Sequence, residues 1–197
     1  MKVARNRRHT KTFNSFHYFW CWSVIVIFWA LTMIGLFPGQ SSVNSFDWSG
    51  FNPDVRDSVE AIADAHFLSG GVIGPAGLAP QQWHRGNWLG KEATESELLR
   101  LTDYPNSAVK AIAYEELIKA KPESSYQLLS KVLLDRPFTV DYVSGCEGKE
   151  ILVQEYLMDY VLGLSKNVPS TFWSDQVINN LTDKELDFLI RLYQSNR

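Results

Sequence analysis

The chain has 197 residues, 45% of them apolar and 21% charged, which fits a folded domain with an appendage and excludes an intrinsically disordered chain. Its net charge of −3 conceals an asymmetry. Residues 1–46 carry five basic side chains (Lys2, Arg5, Arg7, Arg8, Lys11) and no acidic one, leaving fourteen of the 19 basic residues against all 22 acidic ones, a net of −8. A domain of that sign repels phosphate backbones, so no nucleic-acid partner is expected.

Between the basic stretch and the rest, Tyr18 to Phe37 reads YFWCWSVIVIFWALTMIGLF, 20 residues without an ionisable acid or base of the Asp, Glu, Lys or Arg type. A helix of that length spans about 30 Å, the thickness of a bilayer core. Tyr18, Trp20 and Trp22 stand at the end next to the positive charges, where an interfacial aromatic belt belongs, and Pro38-Gly39 stops the helix. The pattern predicts a transmembrane helix or signal anchor over 18–37, with 1–17 a basic cytoplasmic tail and the domain on the periplasmic, extracytoplasmic side of the inner membrane. A signal peptide cleaved near Gly39-Gln40-Ser41, releasing a secreted domain, is the alternative, although its apolar core would be unusually long. Cys21 lies in this segment and Cys146 in the domain, so no internal disulfide is expected to staple the fold.

Residues 38–51 read as a polar linker, and 52–197 as an all-helical domain. Asn52-Pro53 opens a helix, with Val55, Val59, Ile62, Ala63 and His66 on one face. The stretch 70–90 (GGVIGPAGLAPQQWHRGNWLG) is too rich in Gly and Pro for a regular helix through most of its length and reads as a loop. Thr94-x-x-Glu97 is a capping box leading into Leu98, Leu99 and Leu101. The turn Asp103-Tyr104-Pro105-Asn106 follows, and then a helix capped by Ser107 with Val109, Ile112, Ala113, Leu117 and Ala120 in a stripe. Pro122 starts another helix bearing Tyr126, Leu129, Val132 and Leu133. Residues 135–147 read as a loop, 149–164 as the most apolar helix, and 171–180 as a short one. A second capping box, Thr182-x-x-Glu185, begins the last helix, with Leu186, Leu189, Ile190 and Tyr193. Strand patterns are nearly absent, so the expected class is all-α.

Helix, Asp/Asn-Pro turn, helix is also the layout of a HEAT-type repeat, and Glu97 to Ala120, ELLRLTDYPNSAVKAIAYEELIKA, resembles such a unit. More broadly, residues 51 to the end resemble small HEAT-like (armadillo-type) proteins, mostly from Bacteroidetes and mostly uncharacterised, whose final LT-x-x-E helix is matched by Leu181 to Glu185. The resemblance implies a short α-α superhelical array behind the membrane segment. It implies no enzymatic activity and no particular functional residues.

Chemical motifs are sparse. Cys146, in Ser144-Gly145-Cys146-Glu147-Gly148, is a candidate thiol nucleophile only if His66 or His84 comes near it in space. Metal motifs of the HExxH or CxxC kind are missing, so neither a metal nor a cofactor is expected. The glycine run 70–77 lacks the Gly-Lys-Ser/Thr ending of a phosphate loop. Glu115-Glu116 read as a solvated helix face. Trp83, Arg85 and Trp88 have the residue types of binding hot spots and are the candidate partner-binding residues, with no catalytic residue assigned. The functional expectation is a membrane-tethered, non-enzymatic protein–protein interaction or scaffold module. Its partners would be another envelope or membrane protein and, through 18–37, the lipid bilayer. The alternative is a ligand-binding or thiol-dependent enzyme domain around the 70–90 loop and Cys146. Protease added to spheroplasts should degrade the domain while the membrane shields the rest; an untouched domain would reverse the orientation.

Overall fold

Asn52 does what its position promises: its side-chain oxygen accepts from the Asp54 N–H at 3.0 Å, with Pro53 in the first turn, and α1 runs Pro53–Ala65. The computed structural model describes residues 46–163 and 172–196, which belong to one unit, Asn44–Arg197. After α1 come β1 (Phe67–Ile73), α2 (Gln81–Glu92), α3 (Glu95–Leu101) and α4 (Ser107–Ala120). A 3-10 turn (Pro122–Ser124) then leads into α5 (Ser125–Leu134), β2 (Thr139–Gly145) and β3 (Glu147–Leu152). Helix α6 (Val153–Glu155) passes directly into a π-helical segment (Tyr156–Val161), and α7 (Phe172–Asn179) and α8 (Asp183–Ser195) complete the described chain.

The all-α expectation is therefore overturned. A three-stranded mixed sheet of order β1-β2-β3 accompanies the eight α-helices of the described residues, so the class is mixed α/β and not the purely helical superhelix expected. β1 and β2 are parallel, with Leu68 opposite Tyr142, and four of the eight α-helices lie in the crossover between them. β2 and β3 form an antiparallel hairpin whose two-residue turn is Gly145-Cys146, with Gly145 at φ +59° at the first turn position, as a type II′ turn requires. The helix expected from 149 begins only at Val153, because Lys149 to Leu152 pair with β2 instead. Among the described residues no helix is long and apolar enough to cross a membrane, and the transmembrane or signal-anchor segment 18–37 lies outside them.

The core forms around α4. Nine of its 14 residues are buried, on all of its sides, so it behaves as a helix enclosed by neighbours rather than as one half of a surface pair. It packs against α1, α2, α3, α5, β2 and the π-helical segment. Residues 46–51, read as linker, also join the core: Phe46, Trp48 and Phe51 pack edge-on against one another, and Phe46 and Trp48 also meet Tyr104, at centroid distances of 4.8–5.7 Å. Arg100 holds this segment through the carbonyls of Ser49 (2.6 Å) and Asp47, and its guanidinium lies over the Phe51 ring.

Three polar side chains tie helix ends together. Asn106, not Ser107, caps α4 through the N–H groups of Ala108 and Val109, while its amide nitrogen donates to the Ala63 carbonyl at the end of α1. Gln82 on α2 donates to the carbonyls of Ile62 and Phe67. Glu97 completes the capping box of α3 and also accepts from the Asn52 N–H at 2.8 Å. Burial pushes the Glu97 carboxyl up, but these donors outweigh it and hold its pKa below the usual value. A depressed carboxyl stabilises the fold above its unfolded pKa and loses that contribution as the pH falls through its folded one. Glu97→Ala should accordingly cost about 1–3 kcal/mol near neutrality in urea denaturation, with a deficit that shrinks under acid. A deficit independent of pH would show that the lost carboxylate is not its source.

Candidate functional site

Between Ser69 and Ile73 of β1 lie four residue steps, whereas the facing stretch of β2, Val143 to Gly145, has two. The strand therefore bulges at Gly70-Gly71, as strands do where they turn backbone toward a site. Trp83, on the first turn of α2, lays its indole against this bulge: a Cβ at Gly71 would come within 3.3 Å of Nε1. Beside them opens a cleft of about 270 Å³, walled by β1, α2 and α4, with Tyr142 of β2 and Tyr156 of the π-helical segment also lining it.

The floor of the cleft is charged. Lys119 reaches both Glu115 (2.5 Å) and Glu116 (2.9 Å) from the next turn of α4, and the Tyr156 hydroxyl donates to the other oxygen of Glu115 at 2.6 Å. These three side chains keep only 14–21% of their surface, so the expectation of a solvated face at Glu115-Glu116 is corrected. Burial drives the Glu116 carboxyl up, helped by Glu115 and opposed by Lys119. Burial pulls the Lys119 ammonium down, but the two carboxylates win and its pKa rises. Tyr156 is pushed well above a phenol's usual value by burial, then by the Glu115 charge and hydrogen bond. At neutral pH it is thus a proton donor.

Two local features make this arrangement possible. Gly90 sits in the last turn of α2. A Cβ there would collide with the Glu116 carboxylate, so the missing side chain makes the room this carboxylate occupies. Tyr156 opens a segment in which the Leu162 N–H bonds to the Leu157 carbonyl at 3.1 Å, an i→i+5 bond. Such π-helical turns are rare and occur frequently at functional sites.

Trp83, Arg85 and Trp88 lie on α2, not in a loop, and the helix separates them. Trp83 faces the cleft, whereas Trp88 is about 140° round the helix, and neither it nor Arg85 lines the cleft. The guanidinium of Arg85 reaches the Gln82 side chain at 3.5 Å. His84 is exposed with its ring edge-on to Trp83, and His66 ends α1 in the left-handed conformation (φ 62°). Cys146 is an exposed thiol at the β2–β3 turn and is not part of the cleft lining. Among the described residues no group of three or more His, Cys, Asp or Glu side chains is arranged to hold a metal ion. The residues that sequence reasoning missed are Glu115, Glu116, Lys119 and Tyr156. The (i, i+3) and (i, i+4) spacing of Lys119 from the two glutamates was a visible signal, but it fits an exposed ion pair equally well.

Comparison of the chain with protein-family models, with curated proteins and with solved structures finds no match. The site's chemistry consequently rests on its own geometry. Two carboxylates, one ammonium and a phenol meet in a recess with an aromatic rim, which suits polar recognition. Lys119→Met should leave two part-buried carboxylates sharing one recess and destabilise the domain by about 2–4 kcal/mol. The carboxyl pKa values then rise, so the native state holds protons that the unfolded chain releases; stability should fall as pH climbs through the range above the ordinary carboxyl value. Denaturation midpoints of this variant at pH 5 and pH 8 check it, and equal losses at both would mean that the charges are not coupled.

Proposed function

We propose that the domain is a non-enzymatic interaction module that receives part of a partner protein in the cleft between β1, α2 and α4. The observation that carries the reading is the Glu115–Lys119–Glu116 group, part-buried at the bottom of a recess with a 38%-exposed tryptophan, Trp83, on its wall. Aromatic anchors beside desolvated polar groups are the combination that dominates binding energy at interfaces. Val72 and Leu78 are a second exposed apolar group, at the end of β1 and the turn after it, where Ile73 and Leu78 form an isolated bridge. At about 270 Å³ the cleft lies just below the roughly 300–1,000 Å³ of usual ligand pockets and has room for a single side chain.

The proposed partner is a protein at the cell envelope. That part of the reading is supported by the basic N-terminus and the apolar stretch 18–37 alone. A small-ligand site in the same cleft is the second reading, favoured by the convergence of Tyr142, Tyr156 and the glutamates. The thiol-enzyme version has less to draw on, since Cys146 sits at an exposed turn.

The test uses in-cell crosslinking of the full chain carrying a C-terminal tag, followed by detergent extraction and mass spectrometry. Trp83→Ala should abolish recovery of a stoichiometric partner, and Trp88→Ala, on the other side of the same helix, should leave it intact. Equal recovery with both variants would remove the cleft as the docking site.

A further inference from the structure

We infer that the cleft takes a cationic side chain, the guanidinium or ammonium of an Arg or Lys on the partner, between the Glu116 carboxylate and the Trp83 indole. This deepens the interaction-module reading and rests on it.

The argument starts from charge balance. One ammonium, Lys119, faces two carboxylates, so the group carries one unit of negative charge more than it neutralises. Among the described residues, the remaining titratable side chains that line the cleft, Tyr142 of β2 and Tyr156 of the π-helical segment, are phenols, and α2 and β1 contribute no charged group to its lining. Both oxygens of Glu115 are engaged, one by Lys119 and one by Tyr156. Glu116 differs. Its Oε1 accepts from Lys119, whereas Oε2 makes no hydrogen bond among the described residues, although Glu116 lines the cleft. A half-used carboxylate in a recess is an acceptor for one more donor, and a charged donor there makes the strongest kind of hydrogen bond. Burial is the first cause of the upward push on the Glu116 pKa, with Lys119 opposing it and Glu115 adding to it, and a bound cation would favour the charged form.

The walls fit the same guest. Trp83 presents the side chain best suited to a cation–π contact, and the apolar lining of Leu68, Ile112 and Val161 suits the methylene stem of Lys or Arg. Long-range charge agrees, since the chain beyond residue 46 has a net charge of −8 and attracts basic partners.

The expected signature is measured on the folded full chain in detergent, following the Trp83 indole N–H by NMR. The probes are the N-acetyl amides of arginine, lysine and norleucine, the last being the uncharged counterpart of lysine. Arginine and lysine amides should shift this resonance saturably in the tens of millimolar or below, and norleucine amide should not. Glu116→Gln should weaken the cationic probes about tenfold, the factor of one charge-assisted bond. Gly90→Ala should weaken them too while keeping α2 helical, because its methyl displaces the Glu116 carboxylate. Norleucine amide binding as well as lysine amide, or no shift from either cation, would overturn the inference. Those results leave the crosslinking outcome free: loss of the partner in Trp83→Ala together with no cation response would keep the cleft as a docking site and remove only the cationic guest.

Discussion

Helix α4 passes through the middle of the domain, and its enclosure on all sides sets the terms for everything around it. A helix with one apolar stripe could have left its charged residues in water. This one is packed by α1, α2, α3, α5, β2 and the π-helical segment, so each polar group it carries has to find a partner inside the fold. Lys110 does so over the Phe138 ring at 3.8 Å, with burial lowering its pKa. Glu115, Glu116 and Lys119 do so by pairing with one another and with Tyr156. The hydroxyl of Tyr114, on the same helix, is buried, which raises its pKa against the opposing Lys131 charge and Thr102 hydroxyl.

The same constraint explains how the elements are joined. With α4 in the centre, the ends of α1, α3 and α4 meet near one another, and their unpaired backbone groups must be capped across elements rather than within them. Asn106 links the end of α1 to the start of α4, and Glu97 links the start of α3 to the residue that caps α1. Gln82 anchors α2 to the α1–β1 connection. These are long-range contacts made by residues that, in sequence, look only like local helix punctuation.

That difference marks how much was legible. Signals carried by neighbouring residues were read well: the Asn52 cap, both capping boxes, and the helices from Ser107, beyond Pro122 and after Thr182 all stand in the structure. The sheet was missed because its strands are atypical. β1 holds two glycines in its bulge, and β2 and β3 place Gly145 and Gly148 where a loop would put them, although Val140 and Tyr142 alternate with polar residues as a half-buried strand should. The apolar run after Lys149 resembles a buried helix, and only its pairing with β2 reveals that its first residues are strand. The site escaped for a related reason. Whether Glu115 and Glu116 face water depends on Gly90 of α2 and Tyr156 of the π-helical segment, which lie 25 and more residues away along the chain.

The charged group on α4 is poorly explained as a stabilising device. Buried or part-buried ion pairs roughly break even against well-packed apolar residues of similar size, because desolvation offsets most of their attraction. An all-apolar lining would keep α4 in place without a glycine in the last turn of α2 or a π-helical turn beside it, each of which departs from the most stable helix available. Here both departures occur at the same cleft. One makes room for a carboxylate and the other begins at the phenol that bonds its neighbour. Local costs that converge on one recess are the pattern expected where the requirement is recognition and stability is secondary. Trp83 fits that account through its position, with its indole against a strand bulge and much of its surface still in solvent. A tryptophan needed only to fill the core would be expected to bury more of itself.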